Sequence, residues 1–194
     1  MSTKDHVLRF LEEKKGQAVS GSEIAEALSL SRASVWKAVH ALQEEGYPIS
    51  AASKRGYSLA QNSDILSSAS ILPYLHSGCT LNKLHVYKEL GSTNTTAKAM
   101  ANDQAPHGTV VIAEHQTAGK GRLGRSFYSP GAQGVYLSVV LRLNESTDVS
   151  MLVTSAAAVA VCRAIRAVSG IEAQIKWVND VYIDGKKVCG ILTE

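Results

Sequence analysis

Apolar residues recur at helical spacing over the first third of the chain, and at strand spacing or in continuous runs beyond residue 84. Val7, Leu8 and Leu11 fall on one face of a first helix, which Asp5 can cap and Gly16 can end. A short helix over 23–28 follows, starting from Ser20 or Ser22 and carrying Glu23 in its first turn, as the helix dipole favours. After a turn at 29–31, residues 32–45 predict a longer helix with Val35, Val39 and Leu42 on its buried stripe, closed by Gly46. Trp36 is assigned to the core. Two short strands around 47–49 and 57–59 are joined by 51–56. This order predicts a helix-turn-helix with a wing.

From residue 60 the pattern changes. A polar stretch, 60–63, reads as a linker, which sets domain boundaries of 1–62 and 63–194. Residues 64–72 predict a short bridging helix and 84–87 a strand. Ser92 or Thr93 can then cap a helix that runs to about Met100. Strands are expected over 108–114 and 135–142. Residues 149–168 are alanine-rich and apolar nearly all round at first, which predicts a deeply buried helix. Asp184-Gly185 between two β-rich runs signals a hairpin, and its pairing brings Lys187 back towards Asn179 and Asp180. Gly190 suggests the close approach of a ligand or another backbone.

Composition narrows the class. The 194 residues are 45% hydrophobic and 19% charged, which excludes a disordered chain. A net charge of +3 permits nucleic-acid binding without arguing for it. Cys79, Cys162 and Cys189 have no metal-ligand spacing and read as reduced cytoplasmic thiols. The N-terminus is polar, and the apolar run 151–162 is short for a bilayer span and leads into Arg163 and Arg166, so no membrane association is expected.

The densest chemical signal is Gly119-Lys-Gly-Arg-Leu-Gly-Arg125. Glycines let backbone amides approach an anion, and three cations make that anion a phosphate. The spacing G-x-G-x-x-G matches a dinucleotide fingerprint, but Pro130 and Gly131 stand where its helix should follow, and no Walker Gly-Lys-Ser/Thr occurs. A basic loop between strands remains, with a solvated turn as the plainer reading. In the N-terminal module the charges nearly cancel, so position decides. Ser31, Arg32, Ser34, Lys37 and His40 lie on the third helix, with Lys54 and Arg55 at the wing tip. These are the elements that would enter the major groove and touch the backbone of DNA. Protein contacts, or ordinary helix packing, are the alternative.

Taken in order, Gly91-Ser-Thr-Asn94, residues 114–125, Ser129-Pro130, Lys176-Trp-Val-Asn-Asp180 and residues 187–194 resemble the bacterial biotin protein ligases that double as biotin operon repressors. The resemblance covers essentially the whole chain. It implies an α+β fold: a winged helix-turn-helix followed by a mixed-sheet biotin ligase domain like that of class II aminoacyl-tRNA synthetases. Family members continue with further strands and a small C-terminal β-barrel, so the domain ending at Glu194 is expected to be incomplete. ATP and biotin are the implied substrates, with Mg²⁺ accompanying ATP and no dedicated protein metal site. The implied partners are a biotin carboxyl carrier protein, the operator DNA of biotin genes and, in the ligand-bound family, a second copy.

By the same resemblance Ser92, Thr93, Asn94 and Gln116 line the biotin pocket. Lys120, Gly121 and Arg122 belong to a loop that closes over biotin and phosphate, and Arg122 helps to retain the adenylate. Lys187 contacts the carboxylate and phosphoryl oxygens, which makes Arg122 and Lys187 the catalytic pair. Lys176, Asn179 and Asp180 fall on the phosphate or acceptor side, while Cys189 is a small core residue. Two departures stand out: Val178 replaces the family's usual proline and Phe127 its usual tryptophan. A sensor that binds biotin or its adenylate without transferring it is the alternative function. A lipoate-type ligase is a third, against which the winged helix and the basic loop argue.

Overall fold

The computed structural model describes residues 2–52, 55–75, 83–143 and 149–194, which form two compact units, Met1–Thr80 and Leu81–Glu194. Lys54 and Cys79 lie outside the described residues.

In the first unit, helices α1 (Thr3–Glu13), α2 (Gly21–Ala27) and α3 (Arg32–Glu44) precede the hairpin β1 (Ile49–Ala52) and β2 (Gly56–Leu59). Ser2, not Asp5, is the N-cap of α1; Asp5 supplies the reciprocal half of a capping box. Ser20 caps α2 and Ser31 caps α3. An isolated antiparallel bridge ties Val19 to Tyr57 of the hairpin. Gly56 needs to be glycine there, because its φ is +86° and a Cβ would meet the Val19 carbonyl. Val7, Leu8, Leu11, Ile24, Val35, Val39, Leu42 and Leu59 form the buried centre. Trp36 is not among them: it is 55% exposed. Val35 and Val39 already occupy the inward stripe, and position 36 is turned a further 100° away from it. The helix expected over 64–72 is shorter, α4 (Ser68–Ile71) with a 3₁₀ turn Leu72–Tyr74. Ser67 caps it, and it packs on α1, so this unit continues beyond residue 62.

Among the described residues, the second unit contains two three-stranded sheets. In one, β3 (Lys83–Leu90) runs parallel to β4 (Thr109–Gln116), connected through α5 (Thr93–Asn102), and β5 (Tyr136–Val140) lies antiparallel on β4. This is a mixed sheet. Helix α5 lies on β4 and β5, where Ala97, Val111 and Val140 are buried with Tyr87, Leu90 and Met100 around them. Along β5, Ser138 and Val140 point inward while Leu137 and Val139 face outward.

The other sheet is the meander β6 (Gln174–Lys176), β7 (Asp180–Ile183) and β8 (Lys186–Gly190). Asp184 and Gly185 both have positive φ, 47° and 74°, the two-residue turn their sequence predicts. Helix α6 (Val149–Ser169) packs across β6 and β7. Deep burial is the expectation it fails. Thr154 and Ala158 are buried, whereas Leu152 and Val168 are 70% and 90% exposed, because the short strands β6 and β7 cover a single stripe of so long a helix. Its segment Leu152–Ser169 is long and apolar enough to cross a bilayer, although it carries Arg163 and Arg166.

Candidate functional site

The first sheet and α5 bring together a cluster of hydrogen-bonded polar side chains. β3 ends at Leu90, Gly91 makes the turn, and α5 begins with its first-turn amides directed at the end of β4. Ser92, the N-cap, makes no side-chain capping bond. Gln116 takes that role from the neighbouring strand: its Oε1 accepts from the Thr93 backbone N–H (2.8 Å) and from Thr93 Oγ1 (3.1 Å). Ser138, on β5, lies within hydrogen-bonding distance of both Thr93 Oγ1 (2.9 Å) and Asn94 Oδ1 (2.5 Å). Asn94 Nδ2 in turn donates to the Leu192 carbonyl (3.3 Å) and to Glu194 Oε2 (3.0 Å). Ser92, Thr93 and Ser138 are buried. The predicted residues Thr93, Asn94 and Gln116 therefore meet, with Ser92 preceding them at the cap.

The basic loop leaves β4 immediately afterwards. Lys120 bridges to Ser126, and Arg122–Gly124 form a 3₁₀ turn containing Leu123 at φ 56°. Leu123 is 91% exposed, so an apolar side chain in a left-handed conformation stands at the loop tip. Lys120, Gly121, Leu123, Gly124 and Arg125, together with Leu192 and Glu194, line a cavity of about 310 Å³.

The meander contributes charged side chains. Lys176 pairs with Asp180, Asp180 with Gly190, and Tyr182 with Lys187. Alternate residues of a strand share a face, so Lys176, Asp180, Tyr182 and Lys187 all lie on one side of the sheet. Lys187 Nζ donates to Asp180 Oδ1 at 2.6 Å and lies 5.8 Å from the Phe127 ring centroid. Gly190 leaves room for this, since a Cβ there would come within 3.1 Å of Lys187 Cε and of the Phe127 ring. Arg122 Nη1 donates to Asn179 Oδ1 at 3.1 Å, which joins the basic loop to the meander. Lys176 is directed elsewhere, with its ammonium 5.5 Å from the Tyr182 ring centroid. The Trp177–Val178 peptide is cis. Cys189 is partly buried, and burial pushes its thiol pKa up, which suits an unreactive packing residue.

The sequence did not single out Ser138 or the side-chain role of Ser129. Both are serines among residues with a strand or loop signature, and only the tertiary structure reveals what they touch.

In the first unit, Ser31 and Ser34 are used in the α3 cap: Ser31 Oγ accepts from Ser34 N at 3.1 Å. Arg32 bonds Ser22 Oγ. Lys37 and Arg55 are exposed. Trp36 and His40 stack at 5.3 Å on the exposed face of α3, and His40 faces Glu44 at 3.3 Å.

Residues 86–194 match the biotin/lipoate A/B protein ligase family, and residues 3–58 match the HTH domain family. The chain belongs to the biotin/lipoate A/B protein ligase family, with a helix-turn-helix domain at its N-terminal end. It is similar to the bifunctional ligase/repressor BirA of Bacillus subtilis, at 38% identity over 97% of this chain and 58% of that one. To BirA of Escherichia coli it is 30% identical over 92% of this chain and 54% of that one. Among solved structures it resembles the biotin protein ligase from Aquifex aeolicus in complex with biotin and ATP, with a TM-score of 0.51 and 33% identity over 59% of this chain and 47% of that one. The chain thus spans just over half the length of these curated relatives.

Proposed function

We propose that this chain carries the biotin-activating site and the DNA-binding unit of a bifunctional biotin ligase and repressor. The observation that supports it most directly is the convergence of three parts. They are a hydrogen-bonded polar cluster at the start of α5, a basic loop that lines a cavity beside it, and two cations, Arg122 and Lys187, bonded to the neighbouring residues Asn179 and Asp180. The polar cluster of Ser92, Thr93, Asn94 and Gln116 suits a cyclic urea, which needs donors and acceptors at fixed positions. The cations suit a carboxylate and a phosphate.

In the first step a carboxylate oxygen of biotin attacks the α-phosphorus of ATP, the bond to the β-phosphate oxygen breaks, and pyrophosphate leaves. Mg²⁺ held by the ATP phosphates would offset part of their charge, and as a hard cation that keeps several waters it would need few protein ligands. Lys187 leaves Asp180 to neutralise the carboxylate and phosphoryl oxygens as their charges approach, and Arg122 exchanges Asn179 for the adenylate. The loop of Lys120, Gly121 and Arg122 closes over the product and places Leu123 against it, which excludes water from the mixed anhydride. In the second step a carrier-protein lysine attacks the acyl carbon and AMP departs. Lys176, Asn179 and Asp180 lie on the side from which phosphates or the acceptor would come. The carrier, operator DNA read by α3 and the wing, ligand-dependent pairing with a second copy, and a cytoplasmic location complete this reading.

Incubation of the purified chain with biotin, ATP and Mg²⁺ tests it. Mass spectrometry should detect biotinyl-5′-AMP. Biotin binding without adenylate would leave a sensor, and neither binding nor adenylate would end the ligase reading.

A further inference from the structure

Ser129 is 4% exposed and sits beside Gln116, at the edge of the polar cluster. Its hydroxyl accepts from Gln116 Nε2 at 2.9 Å and donates to the Phe127 carbonyl at 3.0 Å. The direction of this chain is fixed at both ends. At one end Gln116 Oε1 faces the Thr93 backbone N–H, which can only donate; at the other, the Phe127 carbonyl can only accept. With its acceptor committed, the Gln116 amide must present its NH₂ group to Ser129, and an inverted amide would set two donors against each other. A hydroxyl is what the position requires, because it accepts from one side and donates to the other.

The same residues tie down the stem of the basic loop. Phe127 N donates to the Gly119 carbonyl at 2.8 Å, and Gln116 N to the Ser129 carbonyl at 3.2 Å. Gly119 lies so close that a Cβ would stand 2.5 Å from both Ser129 Oγ and the Phe127 carbonyl oxygen. The polar cluster at α5 and the loop stem therefore share one hydrogen-bond chain.

We propose that Ser129 is a positioning residue that fixes the Gln116 amide and couples it to the stem of the basic loop, so that recognition of the biotin ring and the set of the loop depend on each other. This rests on the biotin reading given above.

A double-mutant cycle on the chain, with biotin affinity measured by calorimetry, tests it. Ser129→Ala should weaken binding about tenfold, as expected when a buried bonded group loses its partner. In a Gln116→Ala background the same change should cost less than about twofold, because the amide it positions is gone. Ser129→Cys, nearly isosteric but a weak donor and acceptor, should fall between serine and alanine. Thermal unfolding of each variant establishes that it is folded. Tryptic cleavage within Lys120–Arg125 should also rise several-fold in Ser129→Ala while other sites are cut as before. Equal losses in the two backgrounds, a cysteine variant that binds like the wild type, or unchanged loop cleavage would each overturn the proposal. If the wild-type chain does not bind biotin, the functional reading falls and takes this proposal with it; wild-type binding with an additive cycle overturns the Ser129 role alone.

Discussion

Arg122 and Lys187 carry comparable charge but hold it differently. Lys187 is paired with a carboxylate at 2.6 Å, whereas Arg122 rests on the neutral amide oxygen of Asn179 at 3.1 Å. An arriving phosphate must compete with Asp180 for Lys187 but meets little opposition at Arg122, whose planar fork also matches phosphate oxygens. Arg122→Ala should therefore release biotinyl-5′-AMP about ten- to a hundredfold faster, the usual range for losing a charge-assisted hydrogen bond. A rapid-dilution release assay measures it, and a rate within twofold of the wild type would remove Arg122 from that role. These two cations were legible in the sequence, because glycine-spaced and motif-bound charges carry an ordered signal. Ser129 and Ser138 were not. A serine between apolar strand residues looks like a solvent-facing position, and Ser138 points inward only because the cluster it completes is polar. Trp36 misleads in the opposite sense: an indole suggests core, but the register of α3 gives the inward positions to Val35, Val39 and Leu42.

At the level of elements, helix α1 depends on a device with a defined pH response. The Ser2 N–H donates to Asp5 Oδ2 at 2.8 Å, and Ser2 Oγ accepts from Asp5 N at 3.2 Å. That backbone hydrogen bond is the main reason the Asp5 carboxyl is held below its ordinary pKa. A depressed carboxylate stabilises the folded state above its unfolded pKa, about 3.9, and the contribution is lost as pH falls through the lower folded value. Asp5→Ala should cost about 1 kcal/mol at pH 7, the typical net worth of a hydrogen bond such as the one its carboxylate accepts from the Ser2 N–H. The gap from wild type should narrow below about pH 4 as both carboxyl states protonate. Urea denaturation at the two pH values measures it, and a gap of equal size at both would rule out the charged cap. The capping partners were only half legible, since Asp5 and Ser2 both qualify and spacing alone does not rank them. Helix α6 was misjudged for a related reason: apolar composition reports what could be buried, while the area of the facing sheet decides what is.

Across the whole molecule, the winged-helix core and the sheets of the second unit are built from separate residues, and every side chain proposed to bind biotin belongs to Leu81–Glu194. This division was visible in the sequence as a switch from helical to strand periodicity, although α4 extends the first unit beyond the polar stretch that first suggested a boundary. A ligand that binds one unit stabilises that unit by mass action, by about 2.7 kcal/mol at a hundred times its Kd. For a unit of this size that corresponds to a shift of roughly 10 °C. Scanning calorimetry of the chain should then resolve two transitions. Biotin should raise one by about that amount and leave the other within about 1 °C. Asp5→Ala identifies them independently, because it should lower only the transition that biotin leaves in place. If the two moved together, either with biotin or with Asp5→Ala, the units would be one cooperative body. Ligand binding would then be felt by the helices of the first unit directly through the chain, without needing a second copy to carry the signal.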